Sequence, residues 1–180
     1  FGTSCRVVTE GYPRNDTLVQ DDHYPLRAAV RSRLGIDEDK TVVLYAPTCR
    51  DYLRGQGNRY QMSSFLDFQK ANDRLGANFV FLVRGHSNVA GQEPALTNLS
   101  CIDVTDYEDI NELYTASDLL VTDYSSVMFD YCVTGKPMYF LAPDLERYRD
   151  SVRGFYFDFE STSPGPIVAS TESLVESILQ

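Results

Sequence analysis

Residues 118–137 constrain the fold of this chain more than any other part of its sequence. An apolar run, Leu119-Leu-Val121, ends in a short polar turn, and a helical pattern starts directly behind Ser125 and Ser126. Gly135 follows that pattern and is a stop signal typical of a helix C-terminus. A strand that leads at once into a helix places the free N–H groups of the first helical turn at the carboxyl end of the strand. Because α/β proteins bind anions at such turns, we expect a phosphate-bearing ligand here.

The same alternation of strands and helices extends over the whole chain. Continuous apolar runs of strand length, typical of buried parallel strands, are separated by patterns with helical spacing. Thr105 and Glu108 match a capping box and predict the start of a helix. The sequence therefore predicts an α/β fold with a Rossmann-like parallel sheet and helices on both faces. The predicted strands are residues 42–46, 79–83, 101–104, 119–121 and 138–141, and the other predicted helices are residues 25–34, 65–75, 127–134, 145–148 and 170–179.

The length of 180 residues suits one domain with a core of its own. Residues 1–22 are rich in turn formers and are interpreted as a lead-in or interdomain linker, and residues 23–180 as the ligand-binding domain. The chain starts at Phe1 rather than at a methionine, so we expect a piece of a longer protein. No segment approaches the roughly 20 apolar residues that span a bilayer.

Composition excludes several classes of protein. The net charge of −10 argues against a nucleic-acid partner, which would require a basic face. Four cysteines without a C-x-x-C pair indicate a reducing, cytoplasmic compartment. With only two histidines as well, we expect no metal site and no cofactor. The chain also has no P-loop, no G-x-G-x-x-G after a strand and no G-x-S-x-G, so P-loop hydrolysis, dinucleotide binding by the usual fingerprint and α/β-hydrolase chemistry are disfavoured.

Three polar clusters follow predicted strands. They occupy residues 47–51, 84–86 and 122–126. Each alone could be a plain strand-terminating turn. Because the carboxyl ends of parallel strands meet at one edge of a sheet, where α/β proteins bind their ligands, we expect the three clusters to share a site.

The residue types of these clusters suit a phosphate ligand. Ser125 and Ser126 open the helix without a Glu or Gln three residues later, so no capping box occupies the free N–H groups. Arg84 and Arg50 can bind a phosphate with two parallel N–H groups. His86 can donate to a developing phosphate charge.

Asp123 belongs to the same predicted site but carries the wrong charge for a phosphate contact. We expect its carboxylate to orient a hydroxyl, or to accept a hydrogen bond from a ligand hydroxyl. A solvated loop arginine and a histidine bonded to the backbone remain the plain alternatives for Arg50 and His86.

Seven short motifs occur along the chain in a fixed order. They are Gly11-Tyr-Pro-Arg-Asn-Asp16, Leu44-Tyr-Ala-Pro-Thr48 with Arg50-Asp51, Arg84-Gly-His86, Thr122-Asp-Tyr-Ser-Ser126 with Phe129-Asp130, Lys136-Pro137, Asp144 with Tyr148, and Arg153-Gly-Phe-Tyr-Phe157. Together this order resembles the CDP-glycerol glycerophosphotransferases, the polymerases and primases of wall teichoic acid. Cys49 departs from the pattern, since the family usually has a tryptophan there.

The resemblance implies the C-terminal, donor-binding half of a GT-B fold, with the N-terminal half and its essential histidine missing. The implied reaction transfers glycerol phosphate from CDP-glycerol to a lipid-linked teichoic acid acceptor and releases CMP. Arg84 and His86 are then expected to be catalytic. The full enzyme is expected on the inner face of the cell membrane, which other parts of the protein would contact. The expected substrate-binding residues are Thr48, Arg50, Thr122, Asp123, Ser125 and Ser126.

Two other functions remain open at this point. One is another GT-B enzyme that uses a nucleotide sugar, either a glycosyltransferase or a UDP-sugar 2-epimerase. These enzymes tend to place a glutamate-containing pair near the ribose, whereas this edge shows Asp123. The other is a nucleotide-binding domain without catalytic activity.

Overall fold

The computed structural model describes residues 10–19, 23–48, 50, 65–85 and 100–180. Within these ranges, six strands form a sheet in which all neighbours are parallel, in the order β3-β2-β1-β4-β5-β6. This is the strand order of a Rossmann-like sheet, and it confirms the predicted fold class. The strands are β1 Thr41–Tyr45, β2 Phe79–Val83, β3 Cys101–Asp103, β4 Leu119–Thr122, β5 Met138–Leu141 and β6 Ile167–Val168.

Helices lie between most consecutive strands. None in the described part of the chain is long and apolar enough to cross a membrane. The α-helices are α1 Tyr24–Arg33, α2 Phe68–Leu75, α3 Ile110–Ala116, α4 Val127–Tyr131, α5 Leu145–Arg147, α6 Phe159–Thr162 and α7 Thr171–Ile178. Two 3-10 helices, Pro13–Val19 and Cys132–Thr134, and a π-helix, Tyr148–Val152, complete the set.

The sheet is buried on both faces, because successive side chains of a strand point in opposite directions. In β1, Val42 and Leu44 join a core under α3 and α4, while Val43 and Tyr45 join a second core under α2 and α7. All four are almost completely buried. The continuous apolar run of β1 is therefore explained by two separate cores.

Two predicted helix starts are wrong. α3 begins at Ile110, where Asp109 accepts a hydrogen bond from the Asn111 N–H, and not at the predicted capping box. The hydroxyl of Thr105 instead accepts from the N–H of Gly85 across the sheet edge, at 2.9 Å. α2 begins at Phe68 with Asp67 as its cap, whereas the sequence predicted a start near residue 65.

The predicted lead-in packs onto the domain in its described part. Arg14 makes a bidentate ion pair with Asp130 of α4, with Nη2–Oδ distances of 3.1 Å. Asn15 donates to the same carboxylate at 2.7 Å, and Leu18 is buried in the core that α3 and α4 cover. The boundary at residue 22 remains a prediction.

Lys136 caps the C-terminal end of α3. Its Nζ donates to the carbonyl oxygens of Tyr114, Thr115 and Ser117 at 2.7–2.9 Å. Carbonyls at a helix C-terminus accept no hydrogen bond from a backbone N–H of the helix, and a cation is favourable at this end of the helix dipole. Burial, followed by the nearby charge of Arg27, lowers the pKa of Lys136 to about 8.

Asp118 ties α1 to the amino end of the sheet. Its carboxylate accepts from the Nη2 atoms of Arg27 and Arg31, at 2.6 and 2.7 Å, and from the backbone N–H of Val42, at 2.7 Å. Burial raises the pKa of Asp118, but these hydrogen bonds and charges outweigh it and hold the pKa below its ordinary value.

We expect Asp118→Asn to lower the free energy of unfolding by about 2–3 kcal/mol at pH 7, because the amide leaves the buried Arg31 without its counter-charge. The folded-state pKa lies below the unfolded one, so this contribution is complete above pH ~4 and is lost as the pH falls through the folded-state value. Urea unfolding at several pH values measures both effects. Asp39→Asn, on an exposed turn, is the matched control; equal losses in the two variants would contradict the assignment.

Candidate functional site

The candidate site lies where the strand order reverses. β1 pairs with β2 on one side and with β4 on the other, so the loops that follow β1 and β4 leave the same edge of the sheet as neighbours. Open α/β sheets bind ligands at this point because the two loops diverge and leave a crevice. The sequence prediction that Thr48 and Asp123 share an edge is confirmed by a hydrogen bond between them.

Asp123 organises both loops through its carboxylate. Oδ1 accepts from the N–H of Thr48 at 2.8 Å and from the N–H of Tyr124 at 2.6 Å. Oδ2 accepts from Nη1 of Arg50 at 2.7 Å. The side chain is 1% exposed, so its charge is held inside the protein by these donors.

Arg50 is as deeply buried as Asp123, and it bonds to a third loop. Its Nε and Nη2 donate to the two oxygens of Asp144 after β5, at 2.8 and 3.1 Å, and its Nη1 also donates to the carbonyl of Thr48. Burial lowers the pKa of Arg50, but the hydrogen bonds and charges of Asp144 and Asp123 outweigh it and raise the pKa. The guanidinium therefore faces protein carboxylates on both sides, with 1% of its side chain exposed.

Aromatic rings enclose the guanidinium. Its carbon lies 4.9 Å from the ring centroid of Tyr124, 5.3 Å from Phe65 and 5.9 Å from Tyr148. Tyr124 stacks on Tyr148 at 4.0 Å and donates its hydroxyl to Asp144 at 3.1 Å. Burial and the charge of Asp144 raise the pKa of Tyr124, so it stays a neutral donor.

Two threonines at this edge differ in their hydrogen bonding. Thr122 is fully buried and donates its hydroxyl to the carbonyl of Ala46 at 2.7 Å. This hydrogen bond joins the ends of β4 and β1 beyond their backbone pairing. The hydroxyl of Thr48 is also buried, but it has no partner among the described residues. A buried polar atom without a partner costs free energy, and a ligand that bonded to the Thr48 hydroxyl would remove that cost.

Ser125 and Ser126 lie between β4 and α4. Ser125 is half-buried and Ser126 is exposed. Ser126 is the N-cap of α4, but its side chain makes no capping hydrogen bond. No described residue accepts a hydrogen bond from the backbone N–H of Ser125, Ser126 or Val127. The turn thus keeps donors that a ligand anion could use.

Arg84 lies apart from this network. Its Nη1 donates to the carbonyls of Val104 and Tyr107, at 3.2 and 2.8 Å, and so holds the turn between β3 and α3. No described residue accepts from its Nε or Nη2. The other predicted catalytic residue, His86, lies outside the described residues.

The structure therefore brings Thr48, Arg50, Thr122 and Asp123 together directly, with Ser125 and Ser126 on the same turn. Sequence reasoning missed the part played by Asp144 and the aromatic rings. The only signal for it was the occurrence of Asp144 with Tyr148 among the ordered motifs, which gave no role to either residue.

Comparisons with known proteins show what this chain is similar to. Residues 1–180 match the sequence profile of the family described as CDP-Glycerol:Poly(glycerophosphate) glycerophosphotransferase. A teichoic acid poly(glycerol phosphate) polymerase of Bacillus subtilis (strain 168) is 45% identical over 184 residues, which cover 100% of this chain and 24% of that protein.

Solved structures add the likeness of fold. The wall teichoic acid polymerase TagF has a TM-score of 0.83 at 36% identity, over 94% of this chain and 42% of TagF. A TagF variant soaked with CDP-glycerol has a TM-score of 0.82 at 34% identity, over 97% of this chain and 43% of TagF. WaaG, a glycosyltransferase involved in lipopolysaccharide biosynthesis, has a TM-score of 0.50 at 20% identity over 93% of this chain and 44% of WaaG, which shows the fold alone. This chain thus spans under half the length of each of these proteins.

We expect Arg84→Met to lower the free energy of unfolding by about 1–3 kcal/mol, because two backbone carbonyls lose a charged donor. Arg74→Met, on the exposed face of α2, is the matched control and should stay within about 0.5 kcal/mol of the unchanged chain. Urea unfolding measures both variants. A chain without Arg84 that is as stable as the control would show that these hydrogen bonds contribute nothing.

Proposed function

The chain belongs to the CDP-glycerol:poly(glycerophosphate) glycerophosphotransferase family, and on that premise we propose that it is the part of a longer enzyme that binds CDP-glycerol. The longer enzyme transfers glycerol phosphate from CDP-glycerol to a lipid-linked teichoic acid acceptor. The observation that carries the proposal is the β4–α4 turn, at the point where the strand order of the Rossmann-like sheet reverses. Its N–H groups have no acceptor in the described part of the chain.

The chemistry is an in-line displacement at phosphorus. A hydroxyl oxygen of the acceptor attacks the glycerol-bearing phosphorus, the bond from that phosphorus to the bridging oxygen breaks, and CMP leaves with the bridging oxygen. The proton of the acceptor hydroxyl passes to a general base in the part of the enzyme beyond this chain. Catalysis of this kind rests on positioning and on stabilisation of the phosphate charges rather than on a covalent intermediate.

The diphosphate of the donor is assigned to the start of α4. Three consecutive residues from Ser125 to Val127 offer backbone N–H groups without an acceptor among the described residues, and the hydroxyls of Ser125 and Ser126 add two more donors. The position also receives the positive end of the helix dipole. TagF, soaked with CDP-glycerol in one of its structures, supports this choice of ligand.

The remaining residues of the site have supporting roles in this proposal. The buried hydroxyl of Thr48 would bond to the donor, since no described residue satisfies it. Thr122 and Asp123 would hold the two loops. Arg84 would contact a phosphate through Nε or Nη2, and His86 would protonate or stabilise the phosphate of the leaving CMP.

The location of the full enzyme follows from its substrate. A lipid-linked acceptor and a nucleotide donor meet at the cytoplasmic face of the cell membrane, so we place the longer enzyme there as a peripheral protein. The contact with the membrane is assigned to the part beyond this chain.

Titration calorimetry of this chain with CDP-glycerol, CMP and a UDP-sugar tests the proposal. We expect CDP-glycerol and CMP to bind and the UDP-sugar to bind at least tenfold more weakly. Ser125→Ala should weaken CDP-glycerol binding about 10- to 100-fold, because a hydrogen bond to a charged group contributes about 1.5–3 kcal/mol.

Ser32→Ala is the control for that variant, because Ser32 lies on the exposed side of α1 and the chemical change is the same. It should leave the affinity unchanged. A chain that binds the UDP-sugar as tightly as CDP-glycerol would favour a nucleotide-sugar enzyme. Binding of none of the three ligands would overturn the proposal.

A further inference from the structure

One buried guanidinium connects the loops that follow three strands of the sheet. Arg50, in the loop after β1, bonds to Asp123 after β4 and to Asp144 after β5. These partners are 73 and 94 residues away in sequence. The same guanidinium donates to the carbonyl of Thr48, so it also fixes the course of its own loop.

In the described part of the chain, the guanidinium presents almost no exposed surface to a ligand. Its Nε, Nη1 and Nη2 all bond to protein oxygens, its side chain is 1% exposed, and Tyr124, Phe65 and Tyr148 surround it. The two carboxylates and one guanidinium carry a net negative charge, which would repel a diphosphate that came into contact with them. Direct binding of the donor by Arg50, as the sequence suggested, therefore does not fit its surroundings.

The bonds of Arg50 nonetheless lead directly to the proposed donor contacts. Asp123 lies two residues before Ser125 and accepts from the N–H of Tyr124, which fixes the backbone just ahead of the free N–H groups. The same carboxylate accepts from the N–H of Thr48, whose hydroxyl has no partner among the described residues. A shift of this carboxylate would move donors on both sides of the crevice.

We propose that Arg50 and Asp144 are positioning residues of the donor site, which act through Asp123 on the β4–α4 turn and on Thr48 without touching the ligand. This inference rests on the proposed function, since it assumes that the donor diphosphate binds at that turn. Lysine cannot replace Arg50, because an ammonium group cannot bond in parallel to both oxygens of Asp144 while it reaches Asp123.

Removal of the Asp144 charge should therefore weaken donor binding although Asp144 does not touch the donor. We expect Asp144→Asn and Arg50→Lys each to weaken CDP-glycerol binding by about 5- to 50-fold in calorimetry. Asp150→Asn is the matched control, because it removes an exposed ion pair with Arg149 in the adjacent π-helix. It should change the affinity less than twofold. Urea unfolding verifies that each variant is folded, and Asp144→Asn alone decides the outcome if Arg50→Lys does not fold.

A double-mutant cycle separates positioning from a general loss of stability. If Asp144 acts through the turn, Asp144→Asn should cost less affinity in a chain that already carries Ser125→Ala than in the unchanged chain, so the two losses are not additive. If the fold-losses in affinity of the two single variants multiply fully in the double variant, this inference is wrong while the proposed function stands. An unchanged affinity of Asp144→Asn would have the same consequence. If the unchanged chain does not bind CDP-glycerol at all, both proposals fail.

Discussion

The parallel pairing of β1 with β4 is the constraint on which the rest of the site depends. It sets Val43 opposite Leu119 and Tyr45 opposite Val121, so the two strands end at the same edge and their loops meet there. Thr122 and Asp123 lie where they can bond to the backbone of the β1 loop only because this register holds. A slip by one residue would turn each inward side chain to the other face of the sheet.

Buried charged residues lie at both the amino and the carboxyl edge of the sheet, but their roles differ. At the amino edge, Asp118 and Lys136 satisfy donors and acceptors at the ends of α1, β1 and α3, although the buried hydroxyl of Thr115 in α3 has no partner among the described residues. At the carboxyl edge, Arg50 and Asp123 bond to each other and to neighbouring protein groups, while the Thr48 hydroxyl and the N–H groups of the turn after β4 have no partner among the residues that the structure describes. A buried ion pair is weak support for stability alone, since an apolar replacement of similar volume is often as stable. Its position beside open donors is what connects this pair to function.

Much of the fold could be predicted because the core strands are continuous apolar runs. The predicted bounds of β2 and β5 agree with the structure, since turn-forming residues flank both runs. β6 was missed because a strand of two residues is too short to show a periodic pattern. It forms because Gly165 lets the chain approach the backbone of Met138, where a Cβ at residue 165 would lie 1.9 Å from the carbonyl oxygen. The start of α3 was misplaced because Asp109 and Thr105 are both good caps, and only the tertiary contact of Thr105 with Gly85 decides between them.

The candidate site was predictable as a set of loops but not as a network. The order of strands and turns showed that Arg50, Asp123 and Ser125 lie at one edge. Which of them bond to the protein and which stay open depends on contacts between residues more than 70 positions apart, such as Arg50 with Asp144. Such pairs cannot be predicted from a single sequence. For the same reason an arginine that looked like a phosphate ligand proves to be enclosed by carboxylates and aromatic rings.

The position of the donor diphosphate decides whether this description of the molecule is right. A crystal structure of the chain with CDP-glycerol would locate it. We expect its oxygens within about 3 Å of the backbone nitrogens of Ser125, Ser126 or Val127, with Arg50 still bonded to Asp123 and Asp144 and out of contact with the ligand. A diphosphate bound at any other part of the surface, with those N–H groups still open, would contradict it.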